Sequence, residues 1–216
     1  MNTRSQAHIR HAMHLFASVI ALTAASGVAT AESRNYPIHS AGSSRVTFES
    51  DAPVENIVGV TTAVSGTLAV DLAQPGQGAQ ASVAVDLTKL KTGVDKRDQH
   101  MRSADFLDTA KFPTATFELT KIEAKGDIQA AGGATATGHG KLTIKGTTKE
   151  ISVPVKIMFR KVDDQLKKLG FTGDVLRVTG QFSIQLSDYG INVPSMLGQK
   201  VSNTVAVALS LTGVAK

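Results

Sequence analysis

The chain has 216 residues and a net charge of +5 at pH 7, with no cysteine, no tryptophan and only 5% aromatic residues. Without cysteine, it can form neither disulfide bonds nor a lipid-modified amino-terminal cysteine. The charge excess is mild, and the lysines do not gather in a basic stripe with interleaved aromatic residues, so we expect no nucleic-acid binding.

The first 31 residues have the pattern of a secretory signal peptide. Arg4 and Arg10 give a positive start, and an apolar run follows from Leu15 to Leu22. Small residues up to Ala31 then provide a cleavage position. The apolar run is shorter than the roughly 20 residues of a membrane-spanning helix. We predict cleavage near Ala31, a mature domain over 32–216 without a transmembrane anchor, and a periplasmic or secreted location.

After the leader, apolar and polar residues alternate with a period of two, which is typical of half-buried β-strands. Eight such stretches are predicted, at 46–48, 56–72, 83–87, 116–120, 141–145, 151–159, 176–186 and 205–211. Gly59 and Gly66, inside the second stretch, mark bends of a closing sheet. Eight strands make an antiparallel barrel just wide enough for one small ligand.

Two connections between strands carry helix signals. Residues 95–102 contain strong helix formers behind an acidic start, and residues 163–169 have a similar entry and end at Gly170. We expect these short helices to lie over a barrel mouth. The sequence therefore predicts an all-β, eight-stranded antiparallel barrel with short helices in its connections.

Alternating strands behind a signal peptide also describe an outer-membrane barrel. Such barrels turn apolar residues outward and carry aromatic girdles at both membrane interfaces. This chain has no Trp and two Tyr, and the polar faces of its strands carry charges such as Glu118, Lys141 and Lys156. These features favour a barrel whose outer surface faces water.

Three segments resemble one known family. The segment Thr92–Phe117 contains TGVDKRDQHMR, DFLD and KFPTATF; Gly140–Glu150 reads GKLTIKGTTKE; and Leu186–Ile191 reads LSDYGI. In this order they resemble the YceI-like polyisoprenoid-binding proteins, and the resemblance extends from Tyr36 to the carboxyl terminus. It implies a lipocalin-like barrel that holds a long apolar molecule.

The inward faces of the predicted strands carry mainly Val, Ile and Leu. Side chains of this size leave an apolar void on the axis of an eight-stranded barrel, and dry voids bind apolar guests. For the segment around Met101 and Phe112, packing of a capping segment is an equal alternative to ligand contact. The residues predicted to line the cavity and its rim are Phe48, Leu68, Val70, Val83, Val85, Met101, Phe106, Leu107, Phe112, Phe117, Leu142, Ile144, Val153, Val155, Phe159, Phe182, Met196 and Val207.

Arg97, Asp98 and His100 give the sharpest polar signal. We predict a polar clasp, in which Arg97 bonds a carboxylate or backbone carbonyls and His100 caps a neighbouring strand, with contact to a ligand headgroup as the alternative. Only His39, His100 and His139 follow the leader, and no two of them have helical spacing for a metal. No nucleophile elbow or phosphate loop can be recognised. We expect no metal, no cofactor and no catalysis.

The predicted function is binding or carriage of a polyisoprenoid-like or other long-chain lipid in the periplasm. The main alternative is a structural or stress-protective protein with a filled barrel. In that case the surface from Arg97 to Phe112 would meet a partner, such as a membrane redox protein. An esterase or isomerase acting on a bound lipid is a distant third hypothesis.

Overall fold

The structure is a computed structural model that describes residues 33–39 and 43–215. The predicted signal peptide and its cleavage site lie outside these residues. Within them the chain forms ten β-strands and two short α-helices. The strands are β1 (Arg34–Pro37), β2 (Arg45–Asp51), β3 (Asn56–Thr61), β4 (Val64–Val70), β5 (Gln80–Asp86), β6 (Thr114–Lys125), β7 (Ala134–Ile144), β8 (Thr147–Arg160), β9 (Val175–Gln185) and β10 (Thr204–Val214), and the helices are α1 (Asp95–Arg102) and α2 (Asp164–Lys168).

All ten strands form one antiparallel sheet in the order β1-β4-β5-β6-β7-β8-β9-β10-β2-β3. β1 also reaches β10, because Ile38 forms a bridge with Gly213. Next to this bridge, the N–H of His39 donates to the carbonyl of Thr212 at 2.8 Å. These contacts connect the two sides of the strand order, so the sheet curls back on itself around an apolar interior.

The all-β antiparallel prediction is confirmed, but the predicted count of eight strands is wrong. The stretch predicted as one strand over 56–72 divides at Thr62 and Ala63 into β3, which pairs with β2, and β4, which pairs with β1 and β5. The prediction also missed β1, which has four residues and no alternation of burial. β1 and β2 both lie along the same edge of β10. β3 and β4 are two parts of one predicted stretch. The two extra strands therefore add no new position around the curled sheet.

An apolar core fills the end of the sheet away from α1. Tyr36, Ile128 and Ala134 are almost completely buried there, together with Ile157 and Leu176. Ile128 belongs to the connection between β6 and β7, so this connection covers the end of the interior. Burial of one large aliphatic side chain stabilises the fold by about 1.5 to 3 kcal/mol. This end of the sheet is therefore firmly closed.

The other end is covered by connections that leave an opening, which we call the mouth. The helix predicted over 95–102 is confirmed as α1, which crosses this end between β5 and β6. Behind it, Phe106 packs in an apolar cluster with Leu142, Tyr189 and Ile191. The helix predicted near 163–169 is confirmed as α2, but it lies in the β8–β9 connection at the far end. Of the two α-helices in the described residues, α1 covers the mouth and α2 does not.

The hydroxyl of Tyr36 gives a test of the far-end core. It is buried, and among the described residues it has no hydrogen-bond partner. Burial raises the pKa of this phenol above its ordinary value. Since an unpaired buried donor is costly, Tyr36→Phe is expected to keep the free energy of unfolding or raise it by about 1 kcal/mol. Denaturant unfolding measures the change, and a clear loss of stability would show that the hydroxyl has a partner.

Candidate functional site

The sheet encloses a cavity of about 620 Å³ between the far-end core and the mouth. This volume lies within the range of roughly 300 to 1,000 Å³ found for ligand pockets. Residues of β2 to β10 contribute to its wall, together with residues of the connections at the mouth. The wall is apolar over most of its surface, and its charged side chains come from the mouth.

Most of the residues predicted to face the interior line this cavity. They are Phe48, Leu68, Val70, Val83, Val85, Met101, Phe106, Leu107, Phe117, Leu142, Ile144, Val153, Val155, Phe182 and Val207. The alternation of the strands identified them because a period of two places every second side chain inside a curled sheet. Their contact with a ligand stays a prediction.

Phe112 and Phe159 do not line the cavity, and for Phe112 the alternative of packing in the capping segment agrees with its position. Phe112 instead packs outside it, under the β7–β8 turn, where its ring fills the space beside Gly146. Phe159 packs against the far-end core, because it lies at the end of β8 opposite Leu176. Met196 is exposed at the mouth and does not contribute to the cavity wall.

Several residues of the cavity wall were not predicted from the sequence. Some belong to the predicted strands and were simply not selected, such as Ile157, Val178 and Leu209. Others, including Leu90 and Leu197, lie in connections at the mouth, where no periodic pattern marks them. The alternation of the strands marks the first group, whereas the position of the second group depends on how the connections fold.

Arg97 joins two segments of the mouth. Its Nη1 atom donates to Oε1 of Glu55 at 2.7 Å. Its Nε and Nη2 atoms donate to the hydroxyl and the carbonyl of Thr92, at 2.9 and 3.2 Å. This is the pairing with a carboxylate and a carbonyl that was predicted for Arg97. It holds α1 against the hairpin between β2 and β3, a connection that the sequence does not reveal.

Asp98 is 3% exposed and does not line the cavity. Its Oδ1 atom accepts hydrogen bonds from the N–H of Thr92 at 2.8 Å and from the hydroxyl of Thr92 at 2.6 Å. Burial opposes ionisation of the carboxyl, but these bonds and the nearby charges of Arg102 and Arg97 outweigh it and hold the pKa of Asp98 below its ordinary value. Asp98 therefore holds the start of α1 in place.

His100 does not cap a strand, contrary to the prediction. Its side chain is exposed, and the imidazole packs edge-on against the ring of Phe106, with 5.0 Å between the ring centroids. No hydrogen bond links its ring to a strand within the described residues. The helix is instead held by Arg102, whose Nη1 atom donates to the carbonyls of Thr88 and Leu90 at 3.3 and 3.1 Å. His100 lies at the cavity opening, and contact with a ligand headgroup stays a prediction.

In the part of the chain that the structure describes, no helix is both long and apolar enough to cross a membrane. Over the same residues, His, Asp and Glu side chains do not come together in groups of three that could hold a metal ion.

The contacts of Asp98 predict a stability effect that depends on pH. Asp98→Ala leaves the N–H and hydroxyl of Thr92 without their acceptor and is expected to cost about 1 to 3 kcal/mol at pH 7. The charged form stabilises the fold above the unfolded pKa of about 3.9, and this contribution is lost as the pH falls through the lower folded pKa. Thermal unfolding from pH 7 to 2.5 should show the difference shrinking below about pH 4.

The matched control is Asp95→Ala, which removes an exposed carboxylate from the first turn of the same helix. It should change stability by less than about 1 kcal/mol. Equal effects of the two substitutions would contradict the structural role of Asp98.

Comparison with known protein families gives one match over most of the chain. A family model described as YceI-like domain matches residues 36–213. The chain is 32% identical over 135 residues to a UPF0312 protein of Pseudomonas aeruginosa, and this alignment covers 62% of each chain. It is also 32% identical over 150 residues to the protein YceI of Escherichia coli O157:H7, with 69% of each chain covered. The chain thus spans about 62% of the length of the Pseudomonas relative.

Solved structures show the same fold. BcnA of Burkholderia cenocepacia superposes with a TM-score of 0.64 at 21% identity, covering 81% of this chain and 98% of BcnA. A polyisoprenoid binding domain from Saccharophagus degradans superposes with a TM-score of 0.61 at 20% identity, covering 84% of this chain and 98% of that domain. At these identities the likeness establishes the architecture of the sheet.

Proposed function

The chain belongs to the YceI-like family, and we propose that it binds and carries a polyisoprenoid-like or other long-chain lipid inside its sheet. The observation that carries the proposal is the cavity of about 620 Å³ with an apolar wall. Each methylene moved from water into such a cavity contributes about 0.8 kcal/mol, before the cost of ordering the chain is subtracted. A similar fold in a polyisoprenoid binding domain supports the same ligand class.

In this proposal the sheet acts as a lipocalin-like container and performs no chemistry on its lipid. The alternative of a filled barrel requires side chains to occupy the interior, and the cavity argues against it. A membrane redox partner has no support in the described residues. We also propose that the protein works in the periplasm or outside the cell, on the strength of the signal-peptide pattern over residues 1–31.

The proposed cavity can be tested by filling it. Val153 is 4% exposed and lines the cavity from β8. With free space next to it, Val153→Trp should place its indole where the lipid tail would lie, so that retention of a fluorescent polyprenyl probe falls sharply while the protein stays folded. In a solid core the same change would cost about 1 to 3 kcal/mol. Probe retention and thermal unfolding of the same variant distinguish these cases.

The matched control is Val58→Trp, which makes the same change at an exposed position of β3 and should leave probe retention unchanged. Organic extraction of the wild-type protein, followed by mass spectrometry, should recover a long-chain lipid. A wild type without extractable lipid or probe retention, combined with a strongly destabilised Val153→Trp, would rule out the carrier function.

Export makes a separate prediction. If the leader is cleaved after Ala31, intact-mass analysis of protein from the periplasmic fraction should give an amino terminus at Glu32. Recovery of the full-length chain in the cytoplasm alone would contradict the proposed location.

A further inference from the structure

Three segments border the mouth and are bonded to one another. They are the β2–β3 hairpin at residues 52–55, the start of α1, and the segment at residues 195–201. The salt bridge of 2.7 Å between Arg97 and Glu55 joins the first two. The N–H of Val54 donates to the carbonyl of Gln199 at 2.9 Å and joins the hairpin to the third. The three segments therefore form one continuous rim.

Each rim segment exposes a large apolar side chain. Val54 in the hairpin is 68% exposed, Val94 at the start of α1 is 48% exposed, and Met196 in the third segment is 84% exposed. Single exposed apolar residues are ordinary on soluble proteins. Here they lie on connected segments that border the entrance to an apolar cavity. Apolar surface gathered at one place usually marks an interaction site.

The same rim carries unpaired positive charge. Lys96 and Lys200 line the opening of the cavity. In the part of the chain that the structure describes, the one carboxylate that lines the opening is Glu55, and it is bonded to Arg97. Among the described residues, no carboxylate lies within 4.0 Å of the ammonium group of either lysine. Asp95 follows Val94 on α1, but it does not line the opening. Lys96 and Lys200 therefore present unpaired positive charge at the opening.

We propose that this rim docks on the surface of an anionic lipid bilayer. Val54, Val94 and Met196 enter the headgroup region, while Lys96 and Lys200 face anionic headgroups, as in proteins that lie on a membrane interface. Docking in this orientation turns the open cavity towards the lipids. This inference rests on the proposed function, because it assumes that the lipid in the cavity comes from a bilayer. A protein seated on the rim would instead cover the entrance.

Vesicle co-sedimentation of the purified protein tests the proposal. The vesicles contain either phosphatidylcholine alone or phosphatidylcholine with phosphatidylglycerol. The double variant Val54→Ser/Met196→Ser changes two exposed residues that do not line the cavity. Its partitioning onto the anionic vesicles is expected to fall about tenfold or more, because apolar burial in the interface is lost. Retention of a soluble fluorescent polyprenyl probe should stay at the wild-type level.

The matched control is Met158→Ser/Leu169→Ser, which changes exposed apolar residues at the far end, on β8 and after α2. Its partitioning should stay within about twofold of the wild type. Lys96→Gln and Lys200→Gln should each weaken binding to anionic vesicles about fivefold. Both effects of charge should diminish in high salt, because salt screens exposed charges.

The outcomes separate this inference from the proposed function. A wild type that retains the probe but binds neither kind of vesicle would overturn docking and leave lipid binding intact. Equal vesicle binding by the rim variant and its control would also overturn docking. Vesicle binding that depends on the rim, in a protein that retains no probe, would support docking and contradict the proposed cargo. A wild type that neither retains the probe nor binds vesicles would overturn both docking and lipid binding.

Discussion

The cavity depends on the bend that divides one stretch of chain into β3 and β4. At Thr62 and Ala63 this stretch stops pairing with β2 and begins to pair with β1 and β5. It therefore contributes one strand near each end of the strand order. Gly66 allows β4 to run close to β5, because its φ is +133° and a Cβ there would collide with the carbonyl oxygen of Ser82. A side chain at this position would push β4 away from β5.

The two ends of the curl are held by different kinds of interaction. The far end has a core of fully buried side chains such as Tyr36 and Ile128, which cannot separate without exposing apolar surface to water. The mouth has a smaller apolar cluster around Phe106 and Ile191, but its rim segments are joined by hydrogen bonds and by the partly exposed ion pair of Arg97 and Glu55. Such pairs contribute about 0 to 1 kcal/mol. Because low-stability contacts open first, the mouth is the end through which a ligand has the lower barrier to enter.

The sequence predicted what depends on local periodicity. Most of the residues that were predicted to line the cavity do line it, because alternation along a strand is a local signal. Helix α1 was predicted at its observed bounds, because its acidic start and its helix formers are also local signals. The prediction failed where an outcome depends on how the connections at the mouth fold. Arg97 meets Glu55 across 42 positions, and the exposed ring of His100 packs on Phe106 instead of capping a strand. The strand count failed because no local signal at Thr62 separates a bent strand from two strands.

For a lipid carrier, the source of the cargo decides which interactions set its affinity. A tail that moves from water into the cavity gains the full hydrophobic free energy, whereas a tail that moves from a bilayer exchanges one apolar environment for another and gains little. The balance between bilayer and cavity then depends on the cost of ordering the tail and on contacts made by the headgroup. Those contacts lie at the rim, where Lys96, His100 and Lys200 border the opening. In the proposed carrier, the apolar wall would thus accept many tails, while the few polar side chains at the mouth would select among headgroups.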